Sequence, residues 1–71
     1  MAETRNRLRV AYVGRDRASV PTVRVDLEYE SDGQRFCGGT QRTFHRTDIA
    51  DAQAKANELL AEGRVQEVRE M

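Results

Sequence analysis

The chain has 71 residues, 38% of them apolar, and its twelve basic and twelve acidic side chains cancel. A chain this short holds one domain whose single core is only just sufficient, and zero net charge excludes a global field drawing it to nucleic acid or an anionic membrane. Recognition must therefore come from local patches, and these are arginine-rich: Lys55 is the one cation that is not arginine.

Met1 to Arg5 leads straight into charged residues with no apolar signal core, and no stretch approaches the roughly 18 apolar residues of a membrane span. The expected setting is the cytoplasm, with no membrane contact. Leu8, Val10 and Tyr12 alternate with Arg7, Arg9 and Ala11, the period of a half-buried strand. Gly14 to Pro21 is a polar connection. Val23, Val25, Leu27 and Tyr29 then alternate with Arg24, Asp26, Glu28 and Glu30 in a second strand, with Pro21 at its start, where a missing N–H does little harm.

Asp32-Gly33 marks a two-residue hairpin turn, because a type I′ turn needs positive φ at both central positions. It places Tyr29 opposite Phe36 on the core side and Glu30 opposite Arg35 on the other. The third strand runs from Gln34 through Gly38-Gly39, which predict a bulge bending it over the helix, to Phe44 in the core. Thr47 or Asp48 caps a helix with Ile49, Ala52, Ala56, Leu59 and Leu60 inward and Asp51, Lys55, Glu58 and Glu62 toward water, Asp51 and Lys55 being an i, i+4 pair. Gly63 ends it as a left-handed residue, and Val65 and Val68 mark a tail that forms a fourth strand if it pairs. The expected fold is α+β, a three- to four-stranded antiparallel sheet in β-β-β-α-β order with one amphipathic helix packed on one face, and residues 1–71 make one domain.

Charge runs in blocks: six arginines lie within residues 1–24 against Glu3 and Asp16, followed by Asp26, Glu28, Glu30 and Asp32 with no cation between them. Pairing Tyr12 with Val23, Val10 with Val25 and Leu8 with Leu27 sets Arg9 opposite Asp26 and Arg7 opposite Glu28, a cross-strand ladder outside the core. Each exposed rung contributes only about 0.2–1 kcal/mol, so the ladder serves register and solubility. Arg5, Arg7, Arg9, Arg24, Asp26, Glu28, Glu30 and Arg35 on this face are the candidate partner-binding residues. The aromatic residues Tyr12, Tyr29, Phe36 and Phe44 are expected inward, leaving no stacking platform for single-stranded nucleic acid.

No catalytic, metal or cofactor set emerges. The lone Cys37 excludes an internal disulfide and a structural zinc set, and lies some 25 Å along the strand from His45, too far for a nucleophile and base. Cys37-Gly38-Gly39-Thr40 lacks the lysine and the helix start of a phosphate loop. The acidic run is neutralised by the ladder and is not read as a metal site.

Three strands followed by a helix, with Gly33-Gln34-Arg35-Phe36 and Ala52-Gln53-Ala54-Lys55-Ala56-Asn57-Glu58-Leu59-Leu60, resemble the second half of a double-stranded-RNA-binding domain or the arm-binding domain of phage-type integrases. The chain departs from both in having no leading helix and no basic pair at the helix start. The expected function is a non-catalytic protein-binding module acting through the charged face or a sheet edge, of the phage or mobile-element accessory or inhibitor type, an anti-CRISPR-like inhibitor included. A homodimer fits the short chain. The alternative is nucleic-acid binding through Arg5, Arg7, Arg9, Arg15 and Arg17; an enzyme, with Cys37 and His45 as the residues to mutate, ranks third.

Overall fold

In the computed structural model, which describes residues 6–71, three long strands and a short one form a single sheet beside one helix. Strand β1 spans Asn6–Arg15, β2 Pro21–Ser31, β3 Gln34–His45, helix α1 Ile49–Ala61 and β4 Glu67–Glu70. The order across the sheet is β3-β2-β1-β4. The expected α+β fold and β-β-β-α-β sequence are present, but β4 runs parallel to β1, so the sheet is mixed. Arg5 lies outside the described residues.

Local chemistry accounts for the punctuation. Asp32 (φ 53°) and Gly33 (φ 77°) both adopt the left-handed conformation that a type I′ turn demands, and Glu30 stands opposite Arg35. Asp48 is the helix cap, its side chain accepting from the Asp51 N–H at 2.7 Å, and Gly63 closes the helix at φ 75°. The pairing of β2 with β3 shifts register on both sides of the Asp26–Leu27 pair, as bulges do. The bulged strand nevertheless does not fold over α1. It remains an exposed edge, with Phe44 alone half-buried.

The β1–β2 register differs by one residue from the sequence expectation. Arg9 pairs with Leu27, Val10 with Asp26, Ala11 with Val25, Tyr12 with Arg24 and Val13 with Val23. A one-residue slip turns every side chain of a strand to the opposite face. Ala11 and Val13, with Val23 and Val25, therefore meet Ala52, Ala56, Leu59 and Val65 in the core, while Leu8, Val10 and Tyr12 take the face away from the helix.

Two features select this register. In the loop after Arg15, the Asp16 carboxylate accepts from the backbone of Ala18 and Val20, both at 2.9 Å, and Ser19 turns at φ 63°, closing the hairpin with Arg15 opposite Pro21. In addition, an alanine-faced helix approaches a sheet closely only over small residues. Ala11 meets that condition beneath Ala52 and Ala56, all three fully buried.

Helix and strands differ in length, with a consequence for the surface. Thirteen helical residues span about 20 Å, whereas the 11 residues of β2 and 12 of β3 extend roughly 35–40 Å. The molecule is accordingly long, 48 × 26 × 17 Å. Ile49 starts α1 beside Val13 and Arg15, and Leu59 ends it beside Arg9 and Val25. The part of the sheet carrying Arg7, Leu27, Tyr29 and Phe36 projects past the end of the helix as an arm.

Candidate functional site

Alternation and register divide the expected partner-binding residues between two faces. On the face away from α1, rows run Glu67–Val10–Asp26–Thr40 and Arg69–Tyr12–Arg24–Thr43, with Glu28, Glu30 and Arg35 further along. Arg7 and Arg9 lie on the other face with the helix. The expected ladder pairs Arg9–Asp26 and Arg7–Glu28 therefore do not form.

The acidic residues find other cations. Arg24 Nε donates to the Asp26 carboxylate at 3.1 Å and Thr40 Oγ1 donates to it at 2.9 Å. Glu28 accepts from the Tyr12 hydroxyl and from Arg35 Nη1 at 2.9 Å, and Arg35 also reaches Glu67 at 3.2 Å and Glu30 at 3.4 Å. Asp26 and Glu28 are each only 5% exposed, and among the described residues no buried polar side-chain atom lacks a partner. In this network the buried Asp26 and Glu28 carboxylates are satisfied by protein donors.

Its electrostatics follow from those contacts. Burial pushes the Glu28 carboxyl up, but the hydrogen bonds from Tyr12 and Arg35 outweigh burial and hold it below the ordinary glutamate value. The Glu28 carboxylate, aided by burial, raises the Tyr12 hydroxyl above its usual value. Arg35, bound to Glu67 and Glu28, is held more firmly protonated, and its hydrogen bond lowers Glu67 in turn. Tyr12, Glu67 and Arg69 were not expected in this cluster, and the parity of β1 is the signal that would have found them.

The opposite face has different chemistry. From β1 to β3 it presents Arg7, Arg9 and Arg42 and no acid. The Arg7 guanidinium lies 6.0 Å from the Tyr29 ring centre, Arg42 lies 5.0 Å from that of Phe44, and Arg9 Nε donates to Gln41 Oε1 at 3.1 Å. None of the three arginines is ion-paired with a carboxylate among the described residues. Phe36, expected in the core, is 51% exposed at the tip of the arm, opposite half-buried Tyr29. Leu60, also expected inward, is 43% exposed because only Ala52, Ala56 and Leu59 of α1 reach the core.

The remaining chemical candidates are dispersed. His45 is exposed, with Nδ1 3.9 Å from Asp16 Oδ2, and Cys37 is exposed near the other end of β3. Among the described residues, no group of three His, Cys, Asp or Glu side chains is placed to hold a metal, and no helix is long and apolar enough to cross a membrane. Lys55 pairs with Glu58 at 2.7 Å, not with Asp51, and this lowers the Glu58 carboxyl. The chain matches no protein-family model, no curated protein and no solved structure.

Proposed function

We propose that the protein is a non-catalytic binding module that docks an acidic protein partner on the helix-side face of its arm, with Phe36 as the apolar anchor and Arg7 and Arg9 as the charged contacts. The observation carrying this reading is the stretch of sheet that extends past the end of α1, with Phe36 51% exposed at its tip. The exposed Phe36 ring beside arginines without carboxylate partners has the composition of an interface hot spot, and a face with cations but no acid selects an acidic counterpart. Arg24, Asp26, Glu28, Glu30 and Arg35 take no direct part, since their charges are spent on one another.

This assignment keeps the accessory or inhibitor type of role in a reducing cytoplasm and moves its surface to the opposite face of the sheet. A second reading, single-stranded nucleic acid, is favoured by the exposed Phe36 ring, because stacking on exposed aromatics is how such ligands are held. Fluorescence anisotropy with a labelled peptide alternating Glu and Leu and with a labelled oligothymidine separates the two. Docking of an acidic protein predicts saturable peptide binding that Phe36→Ser or Arg7→Glu weakens by about thirtyfold, the scale of a hot-spot loss, and that Glu30→Gln leaves unchanged. Binding of the oligothymidine alone, with a steep salt dependence, would replace the protein partner by nucleic acid. Binding of neither probe at low salt would dismiss the arm as a docking surface for either.

A further inference from the structure

A cleft of about 280 Å³ opens where α1 stops and the arm begins, lined by Arg9, Arg42, Arg64 and Gln41 over a floor of Val25, Phe44, Leu59 and Val65. We propose that this cleft is a binding site for a small organic anion, a phosphate or carboxylate group carried on a flat apolar body. The volume lies just below the roughly 300–1,000 Å³ of drug-sized sites, which suits a small ligand, and an apolar floor with a few convergent polar groups is their usual construction. Three guanidinium groups and no carboxylate line it, so the charge it selects is negative.

The arginines are held for this task. Arg9 is oriented through Nε by Gln41, which leaves its terminal nitrogens available, and Arg42 is stacked over the Phe44 ring. Arg64 alone has a carboxylate, Glu62 at 3.1 Å, and both members of that pair are exposed, so it is weak enough for a ligand to displace. Neutralising the negative end of α1 is not a sufficient use for them. The terminal carbonyls of Glu58, Leu59 and Leu60 already accept the backbone N–H groups of Glu62, Arg64 and Gly63 at 2.9–3.1 Å. The cleft shares Arg9 with the proposed docking surface on the arm, but Phe36 and Arg7 do not line it.

The test is an NMR titration of the full chain with phenyl phosphate, benzoate, inorganic phosphate and benzyl alcohol. The expected result is saturable shifts for phenyl phosphate or benzoate centred on the amides of Arg9, Gln41, Arg42, Phe44, Arg64 and Val65, with benzyl alcohol, which lacks the charge-assisted bond, and inorganic phosphate, which lacks the apolar body to bury, each at least about tenfold weaker. Arg42→Gln weakens the aryl anion about tenfold, and Glu62→Gln, which frees Arg64, tightens it. Phe36→Ser leaves the titration unchanged, so failure of the docking surface and failure of the cleft are told apart. Absence of saturation, equal shifts around Arg24 and Arg69 on the other face, or undiminished binding in a folded Arg42→Gln variant would overturn the proposal.

Discussion

Replacing Glu28 by Gln removes the charge at the centre of the network on the face away from the helix. Glu28 is 5% exposed and accepts from both Tyr12 and Arg35, so the glutamine keeps one acceptor oxygen but turns an NH2 toward one of two donors. A hydrogen bond to a charged group contributes about 1.5–3 kcal/mol, so roughly 2 kcal/mol should be lost. In a domain of this size that corresponds to a fall in Tm of roughly 8–16 °C. Urea or thermal unfolding followed by circular dichroism at pH 7 measures it, and Tyr12→Phe should show a smaller loss that is not additive with Glu28→Gln. The pH dependence has a definite sign. Because the folded Glu28 carboxyl titrates below its unfolded value, its contribution is complete above the ordinary glutamate range and disappears as pH falls through the lowered folded value; the Gln variant therefore loses less stability on acidification than the parent. Were Arg7→Gln to destabilise the protein as much as Glu28→Gln while Tyr12→Phe had no effect, Glu28 would be paired with Arg7, and the reasoning would be refuted.

Three further outcomes follow from particular contacts. Ala11→Leu, which overfills the fully buried seam under Ala52 and Ala56, should cost about 1–3 kcal/mol in chemical denaturation. Asp48→Ala removes the only side-chain cap of α1 among the described contacts, and should cost about 1 kcal/mol and lower the helical ellipticity. Gly38→Ala would place a Cβ 2.6 Å from Tyr29 Cε2, so the Tyr29 ring must move, visible as large shifts of its NMR signals and weaker binding of an acidic peptide to the arm.

Much of the fold was legible because single residues carried it: Asp32-Gly33 for the hairpin, Gly63 for the helix end, and the alternation of Val23, Val25, Leu27 and Tyr29 for β2. Strand β1 was ambiguous because both parities are apolar, Leu8, Val10 and Tyr12 on one and Ala11 and Val13 on the other. Side-chain bulk favoured the wrong set, whereas the requirement of an alanine-faced helix for small neighbours decides for Ala11. That slip dissolved the arginine–carboxylate ladder and moved Arg7 and Arg9 to the helix side. Phe36 was misplaced for a different reason: hairpin pairing correctly set it opposite Tyr29, but pairing does not say how far along the strands the helix extends. Comparing a rise of about 1.5 Å per helical residue with about 3.3 Å per strand residue would have exposed the arm.

The separation of the sheet into a self-neutralised face and an arginine-bearing face rests on which side of β1 meets the helix, and methyl NOE spectroscopy reads that contact directly. Cross-peaks from the Ala11 and Val13 methyls to Ala52, Ala56 and Leu59, with Val10 connected instead to the Asp26 and Glu67 side chains beside it, are the predicted pattern. Cross-peaks from Leu8, Val10 or the Tyr12 ring to Ala52 or Ala56 would contradict it.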